Sequence, residues 1–192
     1  MTILIFDTET TGLIPKNLYI TETTINKFPY ILQLSWIIYD SKTEETIEKD
    51  FIIKCPIDIP QESINIHGIT NEMSKNGMEF SNVFDIFLED ASKCEEIVGH
   101  NIQFDLNILE IESYRSNNDQ KVEVLFNKNH YDTMLKSVDI LKISGTHAGK
   151  NKFPRLIEVY RHFFNKDFDN PHNALGDIRA TLSIYKKLRN IN

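Results

Sequence analysis

Two carboxylates one residue apart, Asp7 and Glu9, close the run Ile3-Leu4-Ile5-Phe6-Asp7-Thr8-Glu9, and Thr10-Thr11-Gly12-Leu13 follows at once. The first half of this stretch reads as a buried strand and the second as a tight turn at glycine. Residues i and i+2 of a strand share a face, so the two side chains converge. Taking a carboxylate out of water without a partner costs several kcal/mol. A divalent cation neutralises two converging carboxylates at the least cost, so the pair reads as half of a metal site. Two later segments offer the other half. Val98-Gly99-His100-Asn101-Ile102-Gln103-Phe104-Asp105 puts a carboxylate at the start of a helix just after a short strand, and His172-Asn173-Ala174-Leu175-Gly176-Asp177 puts a histidine and a carboxylate at the start of the last helix. On one helix those two side chains would point about 140° apart. His172 is therefore expected ahead of the helix, and Asp177 within its first turns.

The elements that must carry these residues follow from the apolar pattern. Strands are predicted over Thr2–Phe6, Ile31–Tyr39, Glu45–Ile53, Glu96–Gly99 and His130–Asp132. Residues 14–29 hold Pro15 and Pro29 without a clear period and read as a long loop, a kind of segment that is often functional in compact domains. A short helix is expected from Pro60 to near Gly68. A longer one carries Phe80, Val83, Phe84, Phe87 and Leu88, and another carries Phe104, Leu106, Ile108 and Leu109. Asp132 reads as the cap of a following helix. Pro154 opens a helix with a stripe of Leu156, Val159, Tyr160, Phe163 and Phe164, and the last helix follows Pro171. Three strands in succession, then strands separated by helices, predict an α/β fold: a mixed central sheet of about five strands with helices on both faces. The acids at the end of the first strand would then face the crevice at the strand ends, where open α/β sheets place their sites.

Bulk properties agree with one domain over residues 1–192, with no repeat or linker-like stretch. The longest apolar run, Tyr30–Tyr39, is too short to span a bilayer, and no basic segment precedes the first strand. Cys55 and Cys94 match no metal-binding spacing and read as reduced thiols. The expectation is an intracellular, cytoplasmic protein with no membrane partner.

The runs Phe6–Leu13, His100–Asp105 and His172–Asp177 resemble the three motifs of the DEDD 3′–5′ exonucleases, in order and spacing. Ile66-His67-Gly68-Ile69-Thr70, Tyr131-Asp132-Thr133 and Phe153–Glu158 are similar to secondary signatures of the same group, so the likeness covers nearly the whole chain. His172 stands five residues before the last acid, and Asn173 occupies the place of the sister subclass's tyrosine. The resemblance is thus to the histidine subclass, which includes the proofreading subunit of bacterial DNA polymerase III.

That resemblance implies a ribonuclease H-like fold and two divalent ions, magnesium or manganese, held by Asp7, Glu9, Asp105 and Asp177. It also implies His172 as the general base, and nucleoside 5′-monophosphates released from single-stranded or frayed 3′ ends of DNA, as in proofreading or repair. Paired ions activate a water, neutralise the growing phosphorane charge and stabilise the leaving alkoxide. Hard oxygen ligands favour magnesium or manganese over zinc. The net charge of −7 would fall to about −3 with both ions bound.

The resemblance further places Thr10, Thr11, Gly12 and Leu13 on the terminal nucleotide, through backbone amides and an apolar edge. His67 is either a contact to the penultimate nucleotide or a helix-end residue. Asn101 and Phe104 are supporting and packing residues before they are direct contacts. Trp36 is core, and His130, His147 and His162 are surface residues. Gly145–Lys150 lacks phosphate-loop spacing and reads as flexible. The basic residues between Lys142 and Lys166 read equally as a phosphate contact or a solvated face. An exoribonuclease on the same scaffold and an idle domain docking a polymerase are the rival readings. With little chain beyond the last helix, a partner is expected to dock on the folded surface.

Overall fold

The computed structural model describes residues 1–145, 150–169 and 173–191. His147, most of the 145–150 segment and His172 lie outside them. Five strands form one mixed sheet: β1 (Thr2–Thr10), β2 (Ile31–Asp40), β3 (Thr46–Ile52), β4 (Glu96–Gly99) and β5 (Asn129–Asp132). Their spatial order is β3-β2-β1-β4-β5. β2 runs antiparallel to both β1 and β3, while β4 runs parallel to both β1 and β5. The expected mixed sheet is therefore present, with β1 at its centre.

Alternation along β1 divides the core in two. Leu4 and Phe6 face one side with Leu34, Trp36 and Ile97, beneath α3 (Phe80–Ser92), α4 (Ile102–Arg115) and α5 (Asp119–Phe126). Ile3 and Ile5 face the other with Ile37, Tyr39, Val98 and Tyr131, beneath Ile178 and Tyr185 of α8 (Ala174–Leu188). Trp36 is fully buried and donates its indole N–H to Asp90 Oδ2 at 2.9 Å. Helices cover both faces, as the pattern required.

The boundaries differ from expectation where polar residues join regular structure. β1 continues four residues past Phe6, because Asp7 and Glu9 stay in register with Ser35 and Gln33 of β2; the ladder shifts only between Glu9 and Thr10. α1 (Gln61–His67) ends at Gly68, whose φ of 77° is the left-handed conformation that ends helices cheaply with glycine. α2 (Asn71–Lys75) and α5 are too short to show a period. α6 (Thr133–Leu141) starts at Asp132, which accepts the amides of Met134 and Leu135. α7 (Leu156–Phe164) begins two residues after Pro154, with Arg155 as its cap residue and the Arg155 amide donating to Glu158 Oε2 at 2.8 Å. Among the described residues no helix is long and apolar enough to cross a membrane.

Candidate metal centre and cleft

Parity on β1 decides which acids meet. Asp7 and Glu9 share the odd face with Ile3 and Ile5, the face covered by α8, and Asp177 lies in the first turn of that helix. One oxygen from each of Asp7, Glu9 and Asp177 lies within 4.8 Å of the others. Thr8 points the opposite way, toward α4. Its amide donates to Asp105 Oδ1 at 3.0 Å and its hydroxyl donates to the same oxygen at 2.6 Å. Asp105 is only 3% exposed, and it stands at the edge of the cluster, close enough for its charge to act on Asp7. The four acids expected together thus divide into a group of three and a neighbour tied to the strand between them.

The electrostatics call for a cation. Burial raises the Asp7 carboxyl well above the usual range, and the charges of Asp105, Asp177 and Glu9 raise it further. Glu9 is pushed up to about 8 by burial, then by Asp177 and Asp105. Asp105 rises to about 7 through burial, against the stabilising bonds from Thr8. Three converging hard oxygen donors that resist ionisation on their own fit a divalent ion.

The turn after β1 is built as a small network. Thr10 Oγ1 donates to Gly12 O at 2.7 Å, and Ser63 Oγ donates to Thr11 O at 2.9 Å. The Thr11 amide donates to Tyr30 O, and the Tyr30 amide to Thr11 Oγ1, both at 2.9 Å. The Thr11 amide is therefore committed within the fold, because the ladder shift after Glu9 swings it onto Tyr30. Leu13 stands 84% exposed.

His67 is buried at the end of α1, where its Nδ1 accepts the Ile69 amide at 3.0 Å. Burial lowers its pKa, against the nearby Thr10 carbonyl, which Nε2 faces without normal hydrogen-bond geometry. It is the last residue of α1. Asn101, in the left-handed conformation at φ 69°, precedes α4, and its amide donates to Asp132 Oδ1 at 3.1 Å. Phe104 is half-buried against the larger core.

Sequence reasoning missed two supporting residues. Thr8 was legible in principle, since alternation sends it to the face opposite its acidic neighbours. His100 was not: Nδ1 pairs with Thr133 Oγ1 and Nε2 with Pro154 O, both at 3.0 Å, which links the end of β4 to the approach of α7. Burial lowers the pKa of His100. Nε2 donates to the Pro154 carbonyl, and the Thr133 hydroxyl beside Nδ1 donates to Gly99 O at 3.1 Å. Asp177, Leu13, Asn101, Phe153 and Arg155 line one cavity of about 850 Å³. The basic stretch beside it is partly neutralised: Lys152 and Arg155 pair with Glu158, and Arg161 pairs with Asp167. His130 and His162 are exposed.

Known proteins resemble this chain in sequence or in fold. The DNA polymerase III subunit epsilon of Rickettsia conorii is 33% identical over 106 residues, covering 55% of this chain and 41% of that protein. The chain thus spans less than half the length of that curated relative. E. coli Exonuclease I in complex with a dT13 oligonucleotide superposes with a TM-score of 0.71 at 20% identity, over 99% of this chain and 41% of the other. Exonuclease X in complex with 5′ overhanging duplex DNA gives 0.63 at 17% identity, over 98% of this chain and 91% of the other. Both structures share the fold. The exonuclease family model named RNase T matches residues 4–185, nearly the full length, and the chain belongs to that exonuclease family.

Proposed function

We propose that this chain is a metal-dependent 3′–5′ exonuclease that releases nucleoside 5′-monophosphates from single-stranded or frayed DNA. The observation that carries the reading is the approach of one oxygen from each of Asp7, Glu9 and Asp177 to within 4.8 Å of the others, with Asp177 also lining the cavity of about 850 Å³. DNA as substrate is supported by the oligonucleotide and duplex bound in the two similar structures and by the name of the polymerase subunit. That name also makes a DNA polymerase the partner to test first, and proofreading or repair the matching role.

Asp7, Glu9 and Asp177 would hold the cations, with Asp105 as a fourth oxygen source fixed by Thr8. When bound, paired magnesium or manganese ions supply Lewis-acid activation of water and charge neutralisation at the phosphate. His172 takes the proton from the attacking water, a role that suits a group titrating near 6.5 when unperturbed. Leu13 offers an apolar edge to the terminal nucleotide, and the Thr10–Gly12 bond holds the turn that presents it.

Incubation with 3′- and 5′-labelled DNA and RNA strands, with magnesium, manganese, zinc or chelator, tests each element. Stepwise shortening of 5′-labelled DNA, mononucleotide release from 3′-labelled DNA and dependence on magnesium or manganese are the expected results. Preference for RNA would make the enzyme an exoribonuclease. No cleavage of any strand would leave the idle docking reading.

A further inference from the structure

Beside the acid cluster stands an aromatic ring that the fold does not use. Phe153 is 63% exposed and belongs to none of the core clusters, and among the described residues it stacks on no other ring. A single exposed aromatic is ordinary. This one differs in how its backbone is held. On one side the Lys152 amide donates to Ile143 O at 2.9 Å, and the Lys152 ammonium pairs with Glu158. On the other, Pro154 O pairs with His100 Nε2 at 3.0 Å, and the Arg155 amide donates to Glu158 Oε2 at 2.8 Å. The backbone that carries this large, exposed apolar side chain is thus held by bonds on both flanks. Phe153 borders the same cavity as Asp177, Leu13 and the exposed Arg155.

We propose that Phe153 is a nucleobase-stacking platform, a binding subsite for one base of a single strand whose backbone runs past the carboxylates. The inference rests on reading the carboxylates as a DNA exonuclease centre and adds to it how the enzyme grips its substrate. Every nucleobase has a π-face, so stacking on an aromatic ring takes any sequence but requires the base to be unpaired or splayed from its neighbours. Because the backbone beneath the phenyl ring is held in advance, only the two side-chain torsions lose freedom when a base lands on it. Arg155, on the helix-capping position two residues further on, puts a guanidinium at the same wall within reach of a phosphate. A preference for single-stranded over fully paired ends follows from this geometry.

The test uses strands carrying 2-aminopurine in turn at each of the last four positions, with calcium replacing magnesium to suppress turnover. Wild-type protein should quench one position more strongly than the rest. Phe153→Ala should abolish that quench and raise KM for an unmodified strand by roughly 5- to 150-fold, the usual range for one stacked base. Phe153→Trp should restore both. An abasic unit at the quenched position should make wild type and Phe153→Ala bind equally. The manganese-induced rise in unfolding midpoint should survive in Phe153→Ala, showing that the metal site remains folded. Equal KM for wild type and Phe153→Ala overturns the platform, as does a loss that persists on the abasic strand, which would mean that the ring meets something other than a base. A quench that depends on Phe153 in a protein that cleaves nothing keeps the platform and overturns the exonuclease reading; cleavage with no such quench does the reverse.

Discussion

Asp7 stands at the point where strand, helix and charge meet: it is paired with Ser35 in the ladder, within 4.8 Å of Glu9 and Asp177, and raised in pKa by burial and three neighbouring acids. Asp7→Asn keeps the shape and removes the charge. Hydrolysis is expected to fall below a tenth of wild type while the metal-free protein gains thermal stability; a gel assay and a melting curve on one preparation check both. His172→Ala should slow hydrolysis about 10²- to 10⁴-fold while a manganese-induced rise in melting temperature persists. Thr8 acts one step removed from the cations. Thr8→Val deletes the 2.6 Å bond to Asp105 and keeps the branched shape. The apparent manganese affinity should drop about 10- to 100-fold, read by titrating metal into the assay, whereas an unchanged titration would show that Asp105 needs no such support. Asp7 and Glu9 were legible in the sequence because carboxylates ending an apolar strand are costly without a partner, and Asp105 and Asp177 through the motifs that resemble the exonucleases. Alternation could have placed Thr8 on the opposite face but not its bonds to Asp105, and no periodicity records the hydrogen bonds through which His100 works.

Among the elements, the 14–29 segment reads in the sequence as a structureless loop, and it contains only a 3-10 turn at Ile25–Lys27. Its order comes from α4. Arg115 donates to the carbonyls of Ile25, Phe28 and Pro29 at 2.9, 2.7 and 2.8 Å. Its guanidinium lies 3.8 Å from the centre of the Tyr30 ring. Glu112, buried beside it, pairs with Arg115 and accepts the Ile31 amide at 2.9 Å. Nothing in the local sequence of the loop could announce this, because the clamp lies more than eighty residues away. Arg115→Met would leave Glu112 as an uncompensated buried charge and three carbonyls without their donor. A loss of about 3–5 kcal/mol is expected from urea unfolding. Since Tyr30 holds Thr11 through both backbone bonds, the variant should also raise KM; unaltered stability would show that the clamp is incidental. The strands and long helices were legible because their apolar periods match the faces they bury. Helix starts shifted by a residue or two where caps, Arg155 and Asn173, decide the boundary.

At the scale of the whole molecule, folding gathers acids that an unfolded chain keeps apart, so stability must respond to protons and cations together. The folded chain holds the Glu9 proton up to about pH 8 and the Asp105 proton to about 7, with Asp7 also raised. Unfolded, all three ionise near their ordinary values of about 4. Between those limits the folded state binds more protons, so stability without metal falls as pH rises, the Asp105 share until about 7 and the Glu9 share until about 8. His67 and His100 act the other way. Their pKa values are lowered on folding, so their contribution is lost as pH falls below about 6.5. Above that value the acids act without them. Urea midpoints of the chelated protein should therefore decline from pH 6.5 to 8.5. Manganese should raise the midpoint most at the alkaline end, where it no longer competes with protons, by about 2.7 kcal/mol at one hundred times its dissociation constant. Asp7→Asn should flatten the pH slope and weaken the manganese response in the same measurement. A chelated protein whose midpoint is level across that range, and unmoved by manganese, would mean that the three carboxylates do not share a site in solution.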